Sequence, residues 1–337
     1  MGGNALKNTF TRRYQRDEYL ALEQDVIDKV KLATNQPTET LKAFRTKESF
    51  GDMDVLTMST NMDYLKMITD TFAPNQIHKN GSVYSFDYKE LQIDLIVTPE
   101  NEYETSINYF AWNDLGNLMG RIYKKMGFKY GHKGLYYVVR DGDCTFKEIL
   151  VSSDSERIFK FGNYDFERFL QGFDTLDEIF EYTTSSRYFN KEIFLLHNRN
   201  HRARVRDAKR PSYNAFLKYC ETLDGDNNYQ WTDSLTKGHF IKRPEMQYFL
   251  DLAFCAFPSF EKRYKQAHAE LKRNVEYKKR FSGERVMYLT GLYRNELGKF
   301  MSFMKTRTNL RELVLDSNDQ EITDYILDEL TLFQFSK

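Results

Sequence analysis

Phe50-Gly51-Asp52-Met53-Asp54-Val55-Leu56 and Leu91-Gln92-Ile93-Asp94-Leu95-Ile96-Val97 are the two stretches that decide how this chain is read. Both are rich in apolar and β-branched residues, the composition of strands. In an extended strand, side chains two residues apart share a face. Asp52 and Asp54 therefore present two carboxylates side by side, while Met53 and Val55 turn into the protein. Asp94 adds a third carboxylate if the second strand lies alongside the first. Three converging carboxylates suit a pair of Mg²⁺ ions, hard cations that prefer oxygen ligands. Two such ions about 3.5–4 Å apart stabilise the attacking and leaving oxygens of an in-line phosphoryl displacement. Asp87 and Glu90 lie in the same hairpin, but their polar, turn-proximal setting makes Asp94 the better third member. The alternative reading is a set of strand-end carboxylates in water.

Around these strands the pattern is mixed. Tyr19, Leu22, Val26, Val30 and Ala33 fall three or four apart and predict one face of a helix over 15–33, broken at Asn35-Gln36-Pro37-Thr38. Residues 52–59 read as a strand, and 61–72 as a helix capped by Thr60 or Asn61. Segments 82–88 and 91–97 read as a hairpin turning at Lys89-Glu90. Trp112 to Met126 reads as a helix ended by Gly127, and 134–139 as a further strand. Beyond Asp141-Gly142-Asp143 the pattern turns helical, with candidates at 163–171, 175–183, 211–223, 244–278 and 295–306. The expectation is an α+β chain, with a small mixed or antiparallel sheet in a domain over 1–150 and an α-helical domain over 151–337.

The 337 residues are enough for two such domains. With 41% apolar and 15% aromatic residues, a packed core is expected rather than disorder. The 49 basic and 49 acidic residues cancel, so any affinity for nucleic acid must come from local patches. Cys144, Cys220 and Cys255 are scattered without CxxC spacing, which speaks against zinc or a disulfide framework. No apolar run has the length of a membrane span, and Met1–Lys7 lacks the apolar run of a signal peptide. A cytoplasmic protein without a membrane partner is expected.

The segment Phe44-Arg45-Thr46-Lys47-Glu48-Ser49-Phe50-Gly51-Asp52-Met53-Asp54-Val55-Leu56 resembles the active-site segment of family X polymerases, DNA polymerase beta among them. Gln92-Ile93-Asp94-Leu95 resembles the strand bearing that family's third aspartate. Tyr109-Phe110-Ala111-Trp112-Asn113-Asp114 and the following helix resemble its nucleotide-contacting elements. The resemblance covers about residues 41–140 and is more specific for the nucleotidyltransferase superfamily than for template copying. It implies a polymerase beta-like head in which Asp52, Asp54 and Asp94 hold two Mg²⁺ ions, with Mn²⁺ as the alternative. It also implies an NTP site built from Lys42, Arg45, Ser49, Gly51, Tyr109, Phe110, Asn117 and Arg121, with Arg45 on the triphosphate. Two departures stand out. Leu41 and Lys42 replace the family's phosphate-cradling Gly-Ser, and Trp112 replaces a glycine, which would reshape the sugar pocket. Only about forty residues precede this segment, which argues against a gap-filling polymerase. The active-site segment 49–56 on so short a lead also resembles nucleotidyltransferase-like proteins of tailed phages.

His197 to Pro211 is a basic footprint carrying Arg199, Arg202, Arg204, Arg206, Lys209 and Arg210 against Asp207. Such a patch can neutralise phosphates and release counterions, and Tyr213 and Phe216 just beyond could stack on unpaired bases. The alternative is a solvated helix face or an internal ion-pair network. His197 and His201 are spaced as a metal pair but have no third ligand in sight. Arg280 to Phe300 reads as helix, glycine turn, helix. It resembles, weakly, the C-terminal element of bacterial-type tRNA nucleotidyltransferases, and an αα-hairpin capped by Gly291 explains it equally well. The reading as a whole is transfer of NMP from an NTP to a hydroxyl, most simply a nucleic-acid 3′ end, RNA before DNA. Transfer to a protein or small molecule, or an inactive nucleic-acid-binding module, are the alternatives.

Overall fold

In the computed structural model, which describes residues 5–223, 229–231 and 244–335, five strands form a mixed sheet in the order β2-β4-β7-β6-β5. They are β2 (Thr38–Thr40), β4 (Asp52–Met58), β5 (Ile77–Asn80), β6 (Val83–Tyr88) and β7 (Leu91–Thr98). β4 and β7 run parallel, and the other neighbours are antiparallel. Met53, Val55, Ile93 and Leu95 are fully buried in a core they share with helices α1 (Arg16–Thr34) and α2 (Tyr64–Phe72). The predicted stripe Tyr19, Leu22, Val26 and Val30 lies in that core, with Ala33 at its edge. A short ribbon of β1 (Tyr14–Gln15) and β3 (Ser49–Phe50) leads into β4.

Local chemistry sets the boundaries. α1 ends where Asn35 turns left-handed, with its N–H on the Lys31 carbonyl. α2 starts later than expected, because the Asp63 carboxylate accepts from the Leu65 and Lys66 N–H groups and so acts as the cap. Thr60 instead donates its N–H to the Tyr64 hydroxyl. The β6–β7 hairpin turns at Lys89 and Glu90 as predicted, with φ of 48° and 64°. Such a two-residue turn matches the twist of the strands but is uncomfortable for residues bearing a Cβ. The segment before α1 holds it, since the Tyr14 hydroxyl donates to the Lys89 carbonyl and the Arg12 N–H to that of Glu90.

The helix expected over 112–126 is α4 (Leu115–Lys125), and it is preceded by a helix the sequence did not suggest, α3 (Glu100–Phe110). Between them Trp112 and Asn113 both sit at positive φ, 61° and 62°. A three-stranded sheet follows, in the order β10-β9-β8: β8 (Phe128–Gly131), β9 (Gly134–Asp141) and β10 (Cys144–Ser152). Then come α5 (Ser155–Phe161), α6 (Phe166–Gln171), α7 (Leu176–Thr184), α8 (His201–Asp207), α9 (Pro211–Glu221) and α10 (Pro244–Ala256). The long helix expected over 244–278 breaks at Phe257-Pro258, where Pro258 opens α11 (Pro258–Arg280).

Packing divides the chain into two compact units, Met1–Val138 with Glu148–Phe260, and Val139–Lys147 with Glu261–Lys337. Residues 148–260 thus pack with the sheet-bearing half, whereas composition placed the change near residue 150. Aromatic side chains make this join. The Tyr123 hydroxyl on α4 donates to the Ile158 carbonyl on α5, and Phe128 on β8 meets Phe161 edge to face. The second unit adds α12 (Gly283–Thr290), α13 (Arg294–Lys305), α14 (Leu310–Asp316) and α15 (Asp319–Phe335) around Val286, Phe300, Met304, Val314 and Ile326. Gly291 is the left-handed cap between α12 and α13. Lys278, Arg280 and Arg285 nearby are engaged in ion pairs, Lys278 with Asp141 and both arginines with Asp319. Among the described residues no helix is long and apolar enough to cross a membrane.

Candidate active site

The parallel pairing of β4 with β7 sets Asp54 opposite Asp94 and Asp52 opposite Gln92. Paired residues of neighbouring strands point to one face, with the strands about 4.8 Å apart. The three aspartates therefore rise from adjacent positions on the face opposite Met53, Val55, Ile93 and Leu95. On the far side of β7, Ser85 of β6 lies opposite Asp94.

Burial and the neighbouring charges of Asp52 and Asp94 push the Asp54 carboxyl up to about 8. Asp94 is raised chiefly by burial, opposed by hydrogen bonds from Ser85 and Gln92. The Gln92 amide donates to both Asp94 oxygens, at 2.9 and 3.1 Å. Among the described residues no three His, Cys, Asp or Glu side chains form a ready-made ion site. In kind the donor set fits a divalent ion: hard oxygens, crowded negative charge and partial burial. The Gln92 amide orients the Asp94 carboxylate and leaves lone pairs on both oxygens for an ion.

A cleft of about 100 Å³ opens beside Asp52 and Asp54, lined also by Tyr19, Leu41, Lys42, Ala43, Lys47, Phe50, Phe110 and Asn113. Lys47 is the charged residue here that the sequence reading passed over. It is half-buried, its ammonium 4.4 Å from the Phe50 ring centroid. Burial lowers its pKa, against the pull of Asp52 and Asp54. The wall of the cleft is tied down from several directions. Leu41 donates its N–H to the Asp54 carbonyl, and the Lys42 carbonyl accepts from the Trp112 N–H at 2.6 Å. Trp112 makes that bond at positive φ, with its indole buried edge-on against Phe173, 5.4 Å away. Trp112 is thus an anchor of the wall and is not among the residues lining the cleft.

Several expected ligands stand elsewhere. The Arg45 guanidinium pairs with Asp174 at 2.6 Å and donates to the Gln171 carbonyl, while the Arg45 and Thr46 N–H groups bond the Phe173 and Asp174 carbonyls. Arg45 is therefore part of a clip to the α6–α7 turn and does not line the cleft. Ser49 accepts from Arg13, and Gly51 is the link between β3 and β4. Tyr109 packs edge-on against Tyr130 and Phe110, and of that pair Phe110 alone reaches the cleft, stacked on His132. Asn117 buries an amide nitrogen without a partner on α4. Arg121 is 8% exposed, bonds the fully buried Asp207 at 2.8 Å and does not line the cleft.

The basic footprint splits in two. Arg199, 9% exposed, and Arg206 also face Asp207, at 3.7 and 2.9 Å, and Arg210 pairs with Asp114 at 2.9 Å. These are the internal network that the sequence left as an alternative. Arg202, Arg204 and Lys209 remain exposed on and just after α8. Tyr213 and Phe216, expected as stacking platforms, are fully buried core residues, the Tyr213 hydroxyl donating to the Phe194 carbonyl at 2.6 Å. Compared with known proteins, the chain matches no family model and no curated protein at a significant level.

Proposed function

We propose that this chain is a nucleotidyltransferase that moves NMP from an NTP to a hydroxyl, releasing pyrophosphate, with two Mg²⁺ or Mn²⁺ ions as cofactor. One observation carries the reading: Asp54 in register with Asp94 on parallel neighbouring strands, with Asp52 two residues earlier on the same face. Asp52 and Asp54 would hold both ions, and Asp94 would join one of them. Ions so held stabilise charge on the attacking and leaving oxygens of phosphoryl transfer.

The chain's own residues do the rest. Asp94, already an acceptor for Gln92 and Ser85, would take the hydrogen bond of the attacking hydroxyl and aim its oxygen. Lys42 and Lys47 would meet the polyphosphate, and Phe110 would lie against the sugar or base. The cleft is smaller than the roughly 300 Å³ at which ligand pockets begin, so base and sugar would rest on its rim. Exposed Arg202, Arg204 and Lys209 belong to the same compact unit and offer charge to an acceptor backbone.

Purified protein with Mg²⁺, α-labelled NTPs and an oligonucleotide panel should incorporate label, and Asp94→Asn should abolish it. Incorporation that survives this substitution would sink the reading. Half of the basic footprint is spent on Asp207 and Asp114, which favours a second acceptor class, a protein or small molecule. Label appearing on protein with every oligonucleotide silent would select it.

A further inference from the structure

The cleft has to solve a charge problem. Three carboxylates and a triphosphate bring about seven negative charges together, and two divalent ions return about four. Roughly three negative charges stay uncompensated in a partly buried site, where charge is costly. Cations of the chain must meet them. The family-like arginine is not available, because Arg45 is held by Asp174 and the Gln171 carbonyl. Among the described residues lining the cleft, the cations are Lys42 and Lys47. Lys42 is exposed at the rim, its ammonium 5.9 Å from the Trp112 ring centroid.

Lys47 is placed differently. It enters the cleft from the turn before β3, over the Phe50 ring, beside Asp52 and Asp54. It lines the cleft beside both carboxylates, and their charge acts on its ammonium against the cost of burial. An ammonium at this position is a ready point charge for phosphate oxygens.

We infer that Lys47 grips the polyphosphate of the substrate, doing the work of the Gly-Ser cradle that Leu41 and Lys42 replace. The inference rests on the nucleotidyltransferase reading for its substrate, and its test does not require turnover.

Inorganic tripolyphosphate is titrated calorimetrically into the full chain and into Lys47→Met and Lys47→Arg, with Mn²⁺ binding to each followed by electron paramagnetic resonance. Tripolyphosphate should bind Lys47→Met about 10-fold or more weakly than wild type, and Lys47→Arg within a few-fold. Mn²⁺ should bind Lys47→Met as well as wild type or more tightly, since a competing cation is gone. Equal tripolyphosphate affinity in wild type and Lys47→Met overturns the assignment and leaves the carboxylate reading standing. Wild type that takes Mn²⁺ but no tripolyphosphate also overturns it, and makes Lys47 an internal counter-ion. Tripolyphosphate binding that depends on Lys47, without any Mn²⁺ bound, upholds the grip and instead removes the two-ion reading.

Discussion

Asp54→Asn should stabilise the metal-free protein, and the gain should grow with pH. The Asp54 carboxyl sits at about 8 in the fold, against 3.8 when exposed, because burial and two neighbouring carboxylates oppose its charge. The folded chain therefore keeps a proton that the unfolded chain loses above about pH 4. Stability from this group is complete below the unfolded value and drains away as pH rises towards 8. Four units at about 1.4 kcal/mol each set a ceiling of roughly 5–6 kcal/mol. Asp94, also raised, shares the proton uptake, so a measured gain of about 2–3 kcal/mol at pH 8, falling below about 1 kcal/mol at pH 5, is expected. Both tryptophans, Trp112 and Trp231, lie in the sheet-bearing unit. Urea unfolding followed by their fluorescence therefore reports on this unit alone. Added Mg²⁺ should reverse the order at pH 8, stabilising wild type and leaving the variant unmoved. A gain that does not change with pH, or a loss at pH 8, would refute the claim that these carboxylates crowd one another.

Asp207→Ala should cost about 3–5 kcal/mol in the same unfolding assay, since Arg121 and Arg199 would be left buried and uncompensated. Gly172→Ala should cost at least about 1 kcal/mol, because φ is +81° and the new Cβ would come within 2.4 Å of the Trp112 ring. Wild-type stability in that variant would mean the α6–α7 turn is not pinned against the cleft wall. Replacing Arg202, Arg204 and Lys209 together by Ala should lower the salt dependence of oligonucleotide binding by about two to three units of log–log slope, whereas Arg199→Ala should disturb folding instead.

The residues that could be read correctly were those whose partners lie nearby in the chain. The α1 stripe, the β4 and β7 alternation and the Lys89-Glu90 turn follow from periods of 3.6 and 2, and the core they predict is the one found. α3 escaped because its buried positions include Thr105 and Ser106, whose hydroxyls donate to the Ser153 and His132 carbonyls. Polar residues used in this way leave no apolar stripe. β10 escaped for a related reason, since most of its side chains are at least partly exposed. The roles of Arg45, Arg121 and Arg199 depend on Asp174 and Asp207, and Arg45 and Arg121 reach partners 129 and 86 positions away. No local spacing records such a pairing. Lys47 looked ordinary beside Glu48, and only the path of the 41–47 loop gives it a place in the cleft.

The division of the chain also bears on synthesis. Residues 139–147 belong to the unit completed only by residues 261–337, so about 110 residues must leave the ribosome before their partners begin to appear. At about 5–20 residues per second that is a wait of roughly 6–20 s. Throughout it, the first unit can close around its own core while this hairpin tip awaits the C-terminal helices. A nascent chain stalled near residue 260 should therefore be cut by protease between 139 and 147, and a fragment begun at 261 should need those nine residues supplied as a peptide to reach full stability.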